Sequence, residues 1–269
     1  MPGNQMPSNP ELLVAVSLKA YLSAAATRAW VDRLARLAGG DVGLPGPELA
    51  VLPAFPLLES TADRLAHTSV RWGAQDVAPS DAGNQTGEVT AALLAELGCR
   101  YVEVGHAERR RLFGEGTRLI QGKLRQAAAA GLVPIHCLGE SEPGDADRAS
   151  ADCCAELEEV LDVLADQTDH PEIVVAYEPV WAIGKQRPAA AEHVHTVCTQ
   201  LRRTLRRRGI HGRVIYGGSA GPGTFTALRC CTDGLFLGRF AHRPQALREV
   251  VREVSAWSSR TPAAPTAVP

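Results

Sequence analysis

Residues Ile173–Gly184 read Ile-Val-Val-Ala-Tyr-Glu-Pro-Val-Trp-Ala-Ile-Gly. The first five, Ile173–Tyr177, are apolar and β-rich without clean alternation. That is the pattern of a strand buried on both faces of a parallel sheet. Glu178-Pro179 ends the run, because proline offers no amide hydrogen to a ladder. The same order of apolar run, turn signal and helical stretch recurs outward in both directions. The other runs are Leu12–Val16, Leu49–Pro53, Val70–Ala74, Tyr101–Gly105, Val133–Cys137, Arg213–Tyr216 and Gly234–Leu237. Between them lie segments rich in Ala, Leu and Arg that suit helices: Ala24–Leu37, Thr117–Ala130, Ala151–Ala165, Ala190–Arg208 and Pro244–Trp257. Eight such alternations predict an α/β fold, a single closed (β/α)₈ barrel. A doubly wound sheet is the alternative, and eight repeats are many for one. The acidic, Pro/Gly-containing segment Glu140–Arg148 reads as a loop after the fifth strand.

The rest of the chain fits one such domain. Its 269 residues are 45% hydrophobic and 22% charged, with a formal net charge of −2. This is the composition of a globular protein long enough to bury a full core. A near-neutral charge gives no reason to expect nucleic acid or a membrane surface as partner. No apolar run approaches the roughly 18 residues needed to span a bilayer. Met1–Pro10 lacks the regions of a signal peptide, so a cytoplasmic location is expected. Residues 1–10 and 258–269 are rich in Pro, Ala, Ser and Thr and are expected to be disordered tails, leaving 11–257 as the barrel.

The seven cysteines are odd in number and include no CxxC, so free thiols in a reducing compartment are expected. No Cys/His cluster has zinc-ligand spacing, and no metal is expected. His193 and His195 stand two apart, which puts them on different faces of a helix; they read as surface residues. His136, inside the fifth run, reads as a hydrogen-bonded core histidine, and Cys137 as packing. Arg109 and Arg110 read as partners in structural ion pairs. The run Arg202–Arg208 has no interleaved aromatic residue and reads as the solvated end of a helix.

In a barrel of this kind the site gathers at the C-terminal ends of the strands. Lys19 follows the first run, and Gly105-His106-Ala107-Glu108-Arg109-Arg110 spans the end of the fourth. Glu178 follows the sixth, Gly217-Gly218-Ser219 the seventh and Gly238-Arg239 the eighth. One carboxylate, one imidazole, one lysine and three Gly-containing turns therefore converge on one mouth. Such turns cradle phosphate through backbone N–H groups. Moving hydrogen between adjacent carbons needs a base for a C–H proton and a donor for the enediolate oxygen. An apolar cover, for which Ile183 and Phe236 are placed, strengthens a carboxylate base by excluding water. An imidazole at a helix N-terminus is kept neutral by the helix dipole and so acts as a donor. No cofactor or metal is needed.

The chain resembles triosephosphate isomerase from about Leu12 to Val254. The motifs that carry the resemblance are Gly73-Ala74-Gln75-Asp76, Thr86-Gly87-Glu88, Gly105–Arg110, Cys137-Leu138-Gly139-Glu140, Ala176–Gly184 and Tyr216-Gly217-Gly218-Ser219. The resemblance implies a TIM barrel and the reversible aldose–ketose isomerisation of glyceraldehyde 3-phosphate and dihydroxyacetone phosphate, as in glycolysis and gluconeogenesis. It implies Glu178 as base, His106 as neutral electrophile, Lys19 as the cation that offsets substrate charge and Glu108 as a second carboxylate near it. Gly184, Ser219 and Gly238 match phosphate-binding positions. Thr86 matches the tip of a dimerisation loop, which implies a homodimer. The pairing of a glutamate base with a neutral histidine is a known worked case of this family.

Five features depart from the family pattern, four single residues and one segment. Ser17 stands for an asparagine, Ala107 for a serine, Phe236 for a leucine and Arg239 for a glycine. The lid after Gly184 reads Lys185-Gln186-Arg187-Pro188 in place of Thr-Gly-Lys-Thr. The serine two residues before the lysine, and the run Phe236–Arg239, are similar to tetrulose-phosphate isomerases, a branch of the same family. That branch implies L-erythrulose 1-phosphate and D-erythrulose 4-phosphate as the alternative substrate pair. Ser17 and Arg239 would then be substrate contacts. A non-catalytic phosphate-binding barrel is the alternative from another functional class; retention of Lys19, His106, Glu108 and Glu178 argues against it.

Overall fold

Eight strands close into a barrel in the order β1 (Leu13–Ser17), β2 (Glu48–Leu52), β3 (Arg71–Ala74), β4 (Tyr101–Val104), β5 (Val133–Leu138), β6 (Glu172–Tyr177), β7 (His211–Tyr216) and β8 (Gly234–Leu237). Every neighbouring pair is parallel, and β8 closes on β1 with Gly234 opposite Leu13. This computed structural model describes residues 12–39, 46–165, 172–185 and 188–258. The expected N-terminal tail lies outside the described residues, as do 259–269 of the C-terminal one. Ser258, assigned from sequence to that tail, instead ends a helix.

The lack of alternation in the strands has a direct cause. Leu13, Ala15, Leu52, Tyr101, Ile135, Val174 and Ile215 fill the barrel interior, while the intervening Val14, Val16, Val51, Val102, Val175 and Val214 pack outward. Both faces are dry, so both sets must be apolar. Each fully buried aliphatic side chain contributes about 1.5–3 kcal/mol. At the N-terminal end the interior is closed by charge instead. Arg213 donates to Glu48 (2.6 Å) and to the Tyr101 hydroxyl (2.5 Å), and Tyr101 donates to Glu48 (2.8 Å).

The outer helices are α1 (Ala24–Gly39), α2 (Leu58–Leu65), α3 (Ala91–Glu96), α4 (Ala107–Phe113), α5 (Thr117–Ala129), α6 (Ala146–Ala165), α7 (Ala191–Arg207), α8 (Thr224–Leu228) and α9 (Pro244–Ser258). The five long ones match the sequence expectation to within a few residues. The short α2, α3, α4 and α8 span one or two turns, too few for a helical period to declare itself. Glu140–Arg148 is a loop only as far as Asp145. There the Asp145 carboxylate accepts the Arg148 amide (3.2 Å), and its carbonyl accepts that of Ala149 (3.0 Å). This cap starts α6 at Ala146, so Asp147 and Arg148 are helical.

Arg109 and Arg110 form the expected ion pairs, Arg109 with Asp76 (2.7 Å) and Glu115 (2.6 Å), and Arg110 with Glu156. In the run Arg202–Arg208, Arg202 pairs with Asp233, Arg207 with Glu158, and Arg208 with Glu158 and Asp162. That end of α7 is thus laced to neighbouring carboxylates as well as solvated. All seven cysteines are free thiols. Among the described residues no helix is long and apolar enough to cross a membrane.

Candidate active site

The loops after the strands place their polar residues at one end of the barrel. Lys19 leaves β1 with φ +50° and Ser219 follows β7 with φ +69°. For non-glycine residues this left-handed backbone costs of order 1–3 kcal/mol, which surrounding structure must hold. The Gln75 amide does so at Lys19, donating to its carbonyl (3.1 Å) and to that of Leu52 (2.9 Å).

His106 caps α4. Its Nδ1 accepts the Glu108 amide at 3.1 Å. A ring nitrogen accepts only when it carries no proton, so the hydrogen of a neutral imidazole is on Nε2. That Nε2 lies 2.8 Å from Lys19 Nζ and 3.5 Å from Glu178 Oε2. Lys19 Nζ also pairs with Glu108 Oε2 at 3.1 Å. The structure therefore brings together Lys19, His106, Glu108 and Glu178, drawn from three strand ends. Burial alone would push Lys19 toward its neutral form. The carboxylates of Glu103, Glu178 and Glu108 outweigh that effect and raise it above the ordinary lysine value.

Glu178 is 8% exposed, and its Oε2 is buried without a hydrogen-bond partner. A buried polar atom with no partner is costly, and in a cavity wall it is an open acceptor. The carboxylate is pressed against the β7 loop. A Cβ on Gly217 would stand 2.3 Å from Glu178 Oε1, so only glycine leaves it this position. Cys137, beside Glu178, is a buried thiol pushed well above its ordinary value by desolvation first and the nearby carboxylates second. It packs rather than attacks, in keeping with its place in β5.

The rim of the cavity carries Gly184, Ser219, Gly238 and Arg239, with Ile183 and Phe236 as apolar wall. Arg239 leans over the lid: a Cβ on Gly184 would lie 2.9 Å from its Nη2, and its guanidinium stands 5.7 Å from the Tyr21 ring centroid. No ion pair to a described carboxylate ties it down. Gln186 and Arg187 of the lid lie outside the described residues.

The lid's near end is anchored by Glu140. It accepts from Trp181 Nε1 (2.8 Å) and the Tyr177 hydroxyl (3.1 Å), and lies 2.9 Å from His193 Nε2. Ser219 Oγ donates to the Ala182 carbonyl (2.9 Å) and joins the lid to the β7 loop. His193 is therefore a half-buried anchor, not the surface residue its spacing suggested; His195 is exposed. His136 is fully buried, with Nε2 3.1 Å from Glu156.

Ser17 and Glu103 complete the cluster from below. Ser17 Oγ donates to Glu103 Oε2 at 2.8 Å, with both side chains 3% exposed. Sequence reasoning missed Glu103. The signal was there, one acid inside the apolar run Tyr101–Gly105, but a lone charge in a strand gives no hint of which face it occupies.

Comparison with known proteins places this geometry. The sequence model for triosephosphate isomerase matches residues 12–254. The L-erythrulose-1-phosphate isomerase of Pectobacterium atrosepticum is 42% identical over 257 residues, covering 94% of this chain and 99% of its own. A probable triosephosphate isomerase 2 of Listeria monocytogenes is 34% identical, covering 90% and 97%. The triosephosphate isomerase of Thermus thermophilus is 38% identical, covering 81% and 87%.

Proposed function

The chain belongs to the triosephosphate isomerase family and is a sugar-phosphate isomerase, and from that premise we propose that it moves a carbonyl between adjacent carbons through an enediolate, with a four-carbon tetrulose phosphate as preferred substrate. One observation carries the reaction: the unpartnered Glu178 oxygen stands 3.5 Å from a histidine nitrogen that is itself 2.8 Å from Lys19 Nζ. In this reading Glu178 takes the proton from one carbon and returns it to the next. The His106 Nε2–H donates to the oxygen that gains charge. Lys19, oriented by Glu108, offsets the substrate's charge. Gly184, Ser219 and Gly238 surround the phosphate with backbone donors. The chemistry asks for no cofactor.

The substrate reading rests on Arg239. Ser17 has given its one hydroxyl proton to Glu103 and lies beneath the cavity, outside its lining. Arg239 adds a guanidinium over the lid glycine, where a longer sugar phosphate has one more hydroxyl to satisfy. The extent of similarity to the erythrulose-phosphate enzyme points the same way. The second reading is the triose pair, glyceraldehyde 3-phosphate and dihydroxyacetone phosphate, as in glycolysis and gluconeogenesis. The relatives named triosephosphate isomerase favour it.

The test is Arg239→Gly, with wild type and variant assayed side by side on three- and four-carbon substrates. A lost charge-assisted hydrogen bond is worth roughly 1.5–3 kcal/mol, about ten- to a hundredfold in kcat/KM. We expect a loss of that size on the tetrulose phosphate, with triose activity spared or raised. Equal small changes on both would return the assignment to the triose pair. Absence of turnover on either substrate in wild type would leave a phosphate-binding barrel.

The same proposal includes a homodimer through the Thr86 loop. Thr86 is exposed, and α4 shows Leu112 and Phe113 at 59% and 65% exposure. Arg109 ties α4 to the start of the β3 loop, pairing with Asp76 and covering the Phe113 ring at 4.6 Å. Sedimentation should give about twice 28.6 kDa. A single species at the monomer mass would remove the dimer from the proposal. The free thiols suit a reducing cytoplasm.

A further inference from the structure

Strands β1 and β4 are not neighbours in the barrel: β1 lies between β8 and β2, and β4 between β3 and β5. They are nonetheless joined through the interior by the Ser17–Glu103 hydrogen bond of 2.8 Å. Two residues beyond Ser17 is Lys19, and three beyond Glu103 is His106. Those two side chains also meet, at 2.8 Å. The buried bond is thus a tie between the two chain segments that deliver the cation and the imidazole.

Glu103 is an unexpected occupant of this place. Leu52, Ile135, Cys137, Ile215 and Phe236 fill the same interior from other strands, and none carries charge there. Burying a carboxylate is unfavourable unless hydrogen bonds and opposite charge offset it. The groups facing it are Ser17 and Lys19 from β1 and its loop, His106 after β4, Cys137 on β5 and Glu178 after β6. Lys19 is the fixed cation among them.

We propose that Glu103 is a positioning residue for the isomerisation: tied to Ser17 across the barrel, it fixes the Lys19–His106 spacing and supplies the counter-charge beneath Lys19. Among the carboxylates that raise Lys19 above its ordinary value, Glu103 acts most strongly. Desolvation raises Glu103 itself, opposed by His106, Lys19 and the Ser17 hydrogen bond. The Lys19 ammonium, the His106 ring and the Ser17 hydroxyl all favour its ionised form, the form that supplies the counter-charge.

The inference rests on the isomerase reading, and the experiment separates the two. Glu103→Gln keeps an acceptor for Ser17 and removes only the charge. The pH profile of kcat/KM, and of the affinity for 2-phosphoglycolate, is compared with wild type, alongside thermal melting. Loss of a close opposite charge should move the alkaline limb to lower pH by about one unit, with about a tenfold loss of kcat/KM beyond it. Glu103→Met suits the apolar surroundings and gives the same readout if the amide variant does not fold. Ser17→Ala keeps the charge and loses the tie; it should lower kcat/KM at all pH values without moving the limb. Superimposable limbs in wild type and either folded Glu103 variant would overturn the proposal, even if the melting temperature changed. An inactive wild type would instead refute the isomerase reading.

Discussion

Glu178→Gln is expected to abolish isomerisation while the protein folds as before. The amide is nearly isosteric with the carboxylate and fits the same place against Gly217, so packing has no reason to change. What disappears is the acceptor. In the native site Glu178 Oε2 is buried and makes no hydrogen bond. An amide nitrogen in that position cannot take a carbon-bound proton, and its oxygen is far too weak a base. Removing a general base costs at least about 10²–10⁴-fold. The measurement is kcat of the purified variant, with circular dichroism and a melting curve to show that the fold is kept. Turnover within a few-fold of wild type would refute the assigned mechanism.

The next largest effect is expected of His106→Gln. The Nδ1 contact with the Glu108 amide leaves the ring's proton on Nε2, beside Lys19 and facing Glu178. A donor so placed matters most as negative charge develops on the enediolate oxygen, and less for the ground state. Loss of one such donor costs about 10²–10³ in kcat. The glutamine amide can donate, but from a different position, and it also loses the cap on α4. We expect kcat to fall by that factor and the affinity for 2-phosphoglycolate to fall much less. If affinity collapses while turnover at saturation persists, His106 is a binding residue and the proton chemistry has another donor. Rapid hydrogen exchange confined to 107–113 would separate loss of the cap from loss of the donor.

Both predictions concern residues that chain order alone makes legible. Glu178, His106 and Lys19 each follow an apolar run, and a parallel barrel collects such positions at one end whatever their distance in sequence. The lid's anchoring was less legible. Glu140, Trp181, Tyr177 and His193 come from four segments of the chain, and only their convergence shows that His193 holds a loop instead of facing water. Spacing along α7 placed His195 correctly on the outside, but it could not know that Glu140 arrives opposite His193.

The sequence by itself determined the architecture, because two local periods alternate eight times and each run is apolar on both faces. That pattern has few ways to bury itself other than a parallel sheet closed on itself and wrapped by helices. It also determined which polar groups reach the mouth, since that follows from chain order alone. Only the tertiary structure decided what lies across the barrel from what. Ser17 and Glu103 are separated by 86 residues and by strands that never pair, yet closure brings their side chains to 2.8 Å. The position of Arg239 over Gly184, from the two ends of different loops, is of the same kind. A strand's sequence fixes which residues face inward together. How far its neighbours rotate around the barrel, and so which inward residue meets which, depends on the twist and stagger of all eight strands at once.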